Sequence, residues 1–407
     1  MNKEFVSVLD LGTHKAACLM ATPDGAGGIR IVGAAEVECR GVRKGAIADL
    51  EESARAIDGA CRRVQQEAGR DIDAVVVGIG GRHLEAVEAR GYVPIYPRTR
   101  SITRDDVLQV VNHSRQVVLP PDREQIMALP REFKIDGQSG IQKSVGMVGS
   151  RLEVSTFLAT AETAQIQNLE RALAMTGRKA AMLVPQPLAS GLGVLRPEEI
   201  ELSSAVVDIG AGGTQIAVFV NGSIVYAAYV PVGSGHVSSD ISKLLKTSPE
   251  EAERLKHLGA AVAEDVRGGD MVEVMQIGQI QARPLDRRVL CEIIESRMKE
   301  LATMVRQQLE RSGHFATLPG GIAMTGGGSL LEGAVKQFET VMGHHRVRLG
   351  VPEGLGKQVH SPSLAAAAGL ARFALDEDDD ELTTASANGK WSHKVRTLWS
   401  MLSGKAG

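Results

Sequence analysis

Short runs of apolar β-forming residues alternate along the chain with glycine-rich turns and with segments of helical period. One run occurs twice, as Val8-Leu9-Asp10-Leu11-Gly12-Thr13 near the start and as Val207-Asp208-Ile209-Gly210-Ala211-Gly212-Gly213-Thr214 near the middle. In each copy apolar residues lead to an aspartate, glycine and a hydroxyl, and a second apolar run follows at 16–20 or 216–220. This pattern predicts two β-hairpins with glycine-rich tips, and therefore two copies of one strand-rich unit.

The two predicted tips carry residue types that suit an anion and its counter-cation. Glycine lets the backbone bring its N–H groups close to an anion, a short hydroxyl adds a donor, and a carboxylate can serve a cation. A single turn of this kind is usually only structural. Two matching tips, with Asp10 and Asp208 separated by 198 positions, favour two units that clamp a phosphate chain across a cleft.

Other segments predict further elements. A third glycine cluster at 326–329 stands between an apolar strand at 321–324 and a predicted helix at 330–338, an arrangement that accepts an anion or a nucleoside. Ser248 and Pro249 predict the start of a helix over 248–258. Residues 84–160 lack a nucleotide motif but contain strand-like runs at 124–129 and 152–160 and a helix-like stretch at 105–118.

Composition narrows the classes of protein. A length of 407 residues allows two domains, and 43% hydrophobic with 23% charged residues is typical of a globular chain. A formal charge of −3 gives no support for a broad electropositive surface, so we set nucleic acid aside. Four scattered cysteines fit neither a disulfide framework nor a zinc site, and the sequence shows neither a secretory leader nor a spanning apolar run. We expect a body that stays in the cytoplasm.

The three glycine motifs, in this order, resemble the phosphate 1, phosphate 2 and adenosine motifs of actin, Hsp70-type chaperones and sugar kinases. Over essentially its whole length the chain is similar to the FtsA family of bacterial cell-division proteins. Val184-Pro185-Gln186-Pro187-Leu188-Ala189-Ser190 matches the first connecting helix of that family, and residues 363–371 match the second. Both predicted helices, at 188–194 and 364–373, are rich in alanine and glycine, which suits a close crossing at a hinge.

The resemblance implies an α/β fold with duplicated actin-like, ribonuclease H-like domains around a nucleotide cleft. An α+β insert would replace one actin subdomain, and an amphipathic helix would follow at the C-terminal end. The implied segments are the first core at 1–83, 161–193 and 364–375; the insert at 84–160; the second core at 194–234 and 312–363; a subdomain that binds the FtsZ tail at 235–311; a disordered acidic linker at 376–390; and a membrane-targeting helix at 391–407.

The resemblance also implies ATP and Mg²⁺ as ligands. Asp10 and Asp208 would hold Mg²⁺ largely through its waters, because Mg²⁺ dehydrates reluctantly. The implied nucleotide contacts are Gly12, Thr13, Lys15, Gly210, Gly212, Gly213, Thr214, Gly235, Glu253, Lys256, Gly327, Gly328 and Ser329. Glu253 and Lys256 stand three apart on one helix face, so an adenosine contact and an ordinary surface ion pair are equally good interpretations.

This sequence departs from the family at the first connecting helix, where many relatives carry glutamate and this chain has Gln186. A glutamine can orient an attacking water but cannot take its proton, so we expect at most slow ATP hydrolysis. Gly213 also separates the glycines from Thr214, a spacing closer to actin than to the chaperones. Nucleotide would then act mainly as a structural ligand that orders the cleft and a filament.

In the family, the subdomain at 235–311 receives the C-terminal tail of the tubulin-like protein FtsZ. Such tails are mixed acidic and apolar, so Arg283, Arg287, Arg288 and Arg297 are candidate contacts. For most of them we favour the alternative, namely that they form the solvated face of a long helix at 290–311. The insert would contribute contacts with later division proteins such as FtsN.

After residue 373 the chain turns acidic (376–381) and then small and polar, as in a disordered tether. Beyond it, apolar residues recur on one helical face with basic residues beside them: Trp391, Val395, Leu398, Trp399 and Leu402, with Lys394 and Arg396. This pattern predicts an in-plane anchor on an anionic membrane. A helix that docks back onto the body is the alternative. A short anchor binds weakly, so polymerisation would strengthen attachment through avidity.

The leading hypothesis is a peripheral protein on the cytoplasmic face of the inner membrane at the septum. It would bind ATP, polymerise, attach FtsZ filaments and recruit later division proteins. A sugar kinase would need a carboxylate base aimed at an alcohol and would have no use for a membrane helix. An Hsp70-like chaperone would need a peptide-binding domain after residue 373, for which too few residues follow. The actin-like proteins MreB and PilM are alternatives that the acidic linker, the C-terminal anchor and the insert disfavour.

Overall fold

The structure, a computed structural model, describes residues 5–24, 28–98 and 100–375. Its strands are β1 Val6–Leu11, β2 Lys15–Pro23, β3 Ile29–Glu38, β4 Val42–Arg43, β5 Ala46–Ile47, β6 Ala74–Ile79, β7 Leu84–Pro94, β8 Arg123–Ile135, β9 Gln138–Ile141, β10 Arg151–Glu162, β11 Lys179–Pro185, β12 Ser204–Ile209, β13 Thr214–Val220, β14 Ser223–Val230, β15 Met271–Val274, β16 Arg283–Asp286, β17 Ile322–Thr325 and β18 Val347–Leu349. Its α-helices are α1 Leu50–Ala68, α2 Arg104–Ser114, α3 Thr163–Ala174, α4 Gln186–Val194, α5 Pro197–Glu201, α6 Ser234–Leu245, α7 Pro249–Lys256, α8 Arg287–Arg311, α9 Ala334–Met342 and α10 Ala365–Leu375.

Two five-stranded sheets have the same topology. The first runs β3-β2-β1-β6-β11 and the second β14-β13-β12-β17-β18, so each places the third, second, first, fourth and fifth strands of its unit side by side. In both sheets the first three strands of the unit pair antiparallel, and the last two join in parallel. The duplicated unit and its two hairpins, predicted from the repeated motif, are therefore confirmed.

Amphipathic helices cover the sheets because their apolar residues recur every three or four positions. Helix α1 buries Ile57, Cys61 and Val64 against β2 and β3 of the first sheet. It begins at Asp49, whose carboxylate accepts a hydrogen bond from the Glu52 N–H at 2.9 Å. Helices α8 and α9 bury their apolar residues against the second sheet, in a separate apolar core.

The insert is a small α+β unit inside the first half. Its sheet runs β7-β10-β8-β9, and α2 packs on it around a core of its own that includes Val107, Phe133 and Leu152. The predicted helix at 105–118 begins at Arg104 and ends at Ser114 instead, where the Arg115 N–H donates to the Asn112 carbonyl oxygen at 3.3 Å.

The two connecting helices cross at a pair of glycines. A Cβ built on Gly193 of α4 would overlap the Ala365 carbonyl oxygen, and one built on Gly369 of α10 would overlap that of Ala189. Arg372 then ties the helices together, since its Nη1 donates to the Leu192 carbonyl oxygen at 2.7 Å. The close crossing predicted from the alanine and glycine content is confirmed.

Within the described ranges, none of the helices combines the length and the apolar character needed to span a bilayer. The predicted acidic linker at 376–390 and the predicted membrane helix at 391–407 lie outside the described residues.

We predict that Gly369→Ala destabilises the protein, because an added methyl group must push apart the two crossing helices. Overpacking of this kind costs about 1–3 kcal/mol of unfolding free energy. Gly59→Ala in α1 is the matched control, since its Cβ would meet only ordinary contacts at 3.5 Å and alanine favours a helix. Denaturant unfolding of both variants measures the effect, and equal stability of the two would contradict the account of the crossing.

Candidate functional site

A cavity of about 620 Å³ lies between the two halves, where the two glycine tips face each other. Residues from both tips line it, together with the ends of β6 and β17 and one face of α7. Of the predicted contacts, the following line the cavity: Asp10, Gly12, Thr13, Lys15, Gln186, Asp208, Gly210, Gly212, Gly213, Gly235, Glu253, Lys256, Gly327 and Gly328. The fold thus brings together residues that are up to 318 positions apart in the sequence (10 and 328).

The two tips touch. A Cβ built on Gly212 would overlap Thr13 Oγ1 of the opposite tip and would lie 3.2 Å from Lys44 Cα. Tyr229 closes the same junction, because its Oη lies 3.3 Å from the carbonyl oxygens of both Lys44 and Gly212. Only glycine at 212 permits this approach, so the tips form one surface with backbone N–H groups from both halves.

Two carboxylates, one at the end of the first strand of each unit, point into the cavity. Burial raises the pKa of Asp10 from 3.8 to about 7, and the neighbouring Asp208 carboxylate adds to the rise. Burial also raises the pKa of Asp208, although the Ser190 hydroxyl donates to its Oδ2. Lys15 is the nearby cation, and it is paired with Glu36 from β3. The like charges of the two aspartates therefore meet in a poorly solvated place.

Gln186 stands at the first position of α4 with both ends of its amide in use. Its Nε2 donates to Asp10 Oδ1 at 2.5 Å, and its Oε1 accepts from Gln215 Nε2. Gln215, which also lines the cavity, therefore holds Gln186 in this orientation. Glutamine can orient a water but cannot accept its proton.

Glu253 and Lys256 form the expected ion pair on α7, with 2.6 Å between Oε1 and Nζ. The pair is not on an open surface, because Lys256 is only 8% exposed and both residues line the cavity. Ser238 of α6 donates a hydrogen bond to the other Glu253 oxygen. The ion pair therefore forms part of a cavity wall, and the adenosine contact stays a prediction.

The cavity has a symmetric pair of glycine loops beneath the carboxylates. Asp208 pairs in register with Thr325, and a Cβ on Gly326, whose φ is +82°, would overlap Asp208 Oδ1. In the first half, Asp10 pairs with Gly78, and the Gly78-Ile79-Gly80-Gly81 run continues from β6 into the cavity wall. This fourth glycine cluster was missed in the sequence because it has neither an aspartate nor a hydroxyl, although it follows an apolar strand as the third does.

Two predicted contacts need correction. The Thr214 and Ser329 side chains are buried and hold the backbone of the loops. Thr214 Oγ1 donates to the Val232 carbonyl oxygen at 2.8 Å, and Ser329 Oγ donates to the Gly326 carbonyl oxygen at 2.7 Å.

The predicted helix at 330–338 begins only at Ala334. Residues 327–330 form a 3₁₀ turn instead, and Gly333 with φ +75° separates it from the helix.

The donors present fit a divalent cation bound with a polyphosphate. Paired carboxylates suit a hard cation, and in the described part of the chain no group of three or more His, Cys, Asp and Glu side chains forms a metal site. The missing Cβ atoms at both tips leave backbone N–H groups accessible to an anion. A bound cation would also offset the burial that raises the pKa of both aspartates and the repulsion from Asp208 that adds to the rise at Asp10.

The four arginines predicted to contact a partner divide into two kinds. Arg297 binds Asp240 of α6 at 2.6 Å, and Arg287 binds Glu332 at 3.0 Å, so both are held within the molecule. Arg283 and Arg288 are exposed at the end of the small β15–β16 sheet and at the start of α8. The favoured alternative, a solvated helix face, fits Arg288 best because it only approaches Glu292 at 3.8 Å.

Comparison with known families agrees with this architecture. The sequence model described as "Cell division protein FtsA" matches residues 205–369, and that of the "SHS2 domain inserted in FTSA" matches residues 81–160. A Cell division protein FtsA of Pseudomonas aeruginosa is 33% identical over 388 residues, which cover 94% of this chain and 92% of the relative. That of Escherichia coli K12 is 30% identical and covers 97% of each chain.

The chain belongs to the FtsA family.

Solved structures support an actin-like fold for this FtsA-family chain at low sequence identity. The PilM–PilN type IV pilus biogenesis complex gives a TM-score of 0.65 at 16% identity and covers 92% of this chain and 99% of that one. MreB5 of Spiroplasma citri bound to ADP gives a TM-score of 0.55 at 13% identity, with 92% and 97% coverage. The duplicated actin-like fold with an α+β insert, predicted from the sequence, is confirmed.

We predict that Asp10→Asn stabilises the protein in EDTA at pH 8. A carboxylate whose folded pKa is raised to about 7 from 3.8 destabilises the fold progressively between those values and by a constant amount above them. Asparagine removes the charge but still accepts the Gln186 hydrogen bond, so a gain of about 1–3 kcal/mol in unfolding free energy is expected. The exposed Asp73→Asn is the control. Denaturant unfolding at pH 8 and pH 5 should show a gain that shrinks at the lower pH; a loss of stability at pH 8 would contradict it.

Proposed function

We propose that this chain binds Mg-ATP in the cavity and polymerises on the cytoplasmic membrane. There it would anchor FtsZ filaments and recruit later division proteins to the septal ring. Membership of the cell-division family supports the cellular role. The observation that carries the molecular part is the contact between the two glycine tips over one cavity with a buried carboxylate on each side.

In this proposal the tip at Gly12, Thr13 and Lys15 meets the phosphates from one side, although the Gly12 N–H itself donates to the Lys15 carbonyl oxygen. The tip at Gly210, Gly212 and Gly213 meets them from the other side, and there the Gly210 N–H donates to the Gly213 carbonyl oxygen. Asp10 and Asp208 hold Mg²⁺, largely through its waters, and the cation neutralises phosphate charge when it is bound. The Glu253–Lys256 pair and the Gly326–Gly328 loop would contact the adenosine, because they line the same cavity.

Hydrolysis would be slow at most. Gln186 is fixed by its bonds to Asp10 and Gln215, and neither glutamine can take a proton from water. ATP would therefore serve chiefly to hold the two halves together and to favour assembly. A ligand that binds only the closed form of the protein stabilises that form by mass action, so ATP could act in this way without being hydrolysed.

The FtsZ tail would bind the subdomain at 235–311. Arg283 and Arg288 are exposed there, and so are large apolar side chains on the neighbouring segment, including Ile277 at 72% and Ile280 at 95%. An acidic and apolar tail needs both kinds of contact. Arg287 and Arg297 would support this surface from within, through their ion pairs. The insert at 84–160 would bind later division proteins such as FtsN.

The membrane anchor of this proposal is the predicted amphipathic segment, with its apolar residues at 391, 395, 398, 399 and 402 and its basic residues at 394 and 396. With this anchor, the chain would be a peripheral protein of the inner membrane at the septum. Polymerisation would place many weak anchors on one surface, which multiplies their hold.

We expect the full chain to pellet with anionic vesicles, more so with Mg-ATP, and to carry FtsZ down with it. A chain that ends at Asp376 should remain in the supernatant because it lacks the anchor. Gly212→Ala should reduce the effect of Mg-ATP by about 5- to 150-fold, since the added methyl group separates the tips and overpacking costs about 1–3 kcal/mol. Vesicle co-sedimentation with all four combinations of ATP and FtsZ measures this.

The control for the tip is Gly268→Ala, where an added Cβ meets no atom within 4 Å. If the truncated chain pellets like the full chain, the anchor proposal is wrong. If Gly212→Ala and Gly268→Ala respond equally to Mg-ATP, the tips do not hold the nucleotide. Transfer of phosphate from ATP to a sugar would replace the whole proposal with a kinase.

A further inference from the structure

A third turn, from the first half, lies at the junction of the two tips. Strands β4 and β5 form a short hairpin whose turn is Lys44-Gly45, and both turn residues have positive φ, +51° and +78°. The base of the hairpin is held at the start of α1, because the N–H groups of Ala48 and Asp49 donate to the Gly41 carbonyl oxygen at 2.8 and 3.0 Å. The hairpin is therefore fixed to the first half, and its turn reaches the tips.

The turn lies between parts of both halves. A Cβ built on Gly45 would lie 2.8 Å from Gly81 Cα, and the Gly45 N–H donates to Thr13 Oγ1 at 3.4 Å. From the second half, a Cβ built on Gly212 would lie 3.2 Å from Lys44 Cα and would overlap Thr13. The tips and the turn meet without room for a methyl group, so a phosphate group cannot pass between them while they touch.

Tyr229 joins this turn to the second half through its hydroxyl. Its Oη lies 3.3 Å from the Lys44 carbonyl oxygen of the first half and 3.3 Å from the Gly212 carbonyl oxygen of its own half. A phenol has one proton, so it donates fully to only one of these acceptors at a time. Donation to Lys44 bridges the halves, and donation to Gly212 keeps the hydrogen bond within the second half. The halves can therefore part without leaving the hydroxyl unpaired.

We propose that the Tyr229 hydroxyl and the β4–β5 turn control nucleotide exchange, as a bridge that must break before the tips part. This inference rests on the proposed binding of Mg-ATP in the cavity. Tyr229 acts here as a positioning residue, because its hydroxyl joins one part of the protein to another. Loss of the bridge then eases opening whether or not nucleotide is bound. Entry and release speed up by the same factor, and Kd stays nearly constant because it is the ratio of the two rates.

Stopped-flow fluorescence of the full chain with mant-labelled ATP and Mg²⁺ measures both rates. We expect Tyr229→Phe to raise the entry rate and the release rate by about two- to tenfold each, the range that the net free energy of one hydrogen bond gives. The matched control is Tyr226→Phe on the same strand, β14. It also removes one hydroxyl, which donates to Gln308 Oε1 at 2.9 Å within the second half, and it should alter neither rate.

A pair of glycine variants tests the turn independently of Tyr229. Gly45→Ala should also raise both rates, because its methyl group pushes the turn away from Gly81. Gly69→Ala is the matched control, since Gly69 has a positive φ of +63° but a Cβ there meets no atom within 4 Å. Both variants take on similar backbone strain, so both should lose stability, and Gly45→Ala alone should alter exchange. Circular dichroism and thermal unfolding establish that every variant is folded.

Rates that stay unchanged in Tyr229→Phe, while mant-ATP still binds, would overturn the proposal and leave the nucleotide function intact. A faster release with an unchanged entry rate would also overturn it, because Tyr229 would then be a contact of the ligand and not a bridge between halves. An equal effect of Tyr226→Phe would do the same. Failure of the unaltered chain to bind mant-ATP would instead refute the proposed nucleotide function, and this proposal with it.

Discussion

The contact of two glycine tips from opposite halves is the constraint on which the rest of the structure depends. Gly212 lies against Thr13 without room for a methyl group, and Tyr229 joins the same place to the Lys44 backbone. Because each tip is the turn of a hairpin in the central part of its sheet, the contact fixes the relative position of both sheets. The cavity, the carboxylate pair and the crossing of the connecting helices all follow from that position.

This arrangement places like charges where water is scarce. The pKa of Asp10 and that of Asp208 are both raised, chiefly by burial, and such a pair destabilises the empty protein at neutral pH. A site that is strained when empty and relaxed by a bound cation and phosphates couples ligand binding to closure. The slow hydrolysis that we propose would suit that coupling, because the ligand would then remain long enough to support an assembly.

Local patterns predicted much of this fold, and long-range pairing explains what they missed. Both hairpins were evident because apolar runs, aspartate and glycine lie within one segment. The side chains that distant strands bring to the cavity could not be predicted from these motifs. Glu36 comes from β3, Gln215 from β13 and Tyr229 from β14, and only the sheet topology places them beside the tips. At Thr214 and Ser329 the motif predicted hydroxyl contacts with the ligand, but both hydroxyls donate to nearby backbone carbonyl oxygens instead.

The central claim is that the two tips close around one triphosphate, and hydrogen exchange of the tip segments against Mg-ATP concentration tests it most directly. The backbone N–H groups at 10–15 and 208–214 should gain protection together, with a single midpoint, while those of the insert sheet do not change. Protection of one tip alone, two separate midpoints, or no protection at saturating Mg-ATP would contradict the claim.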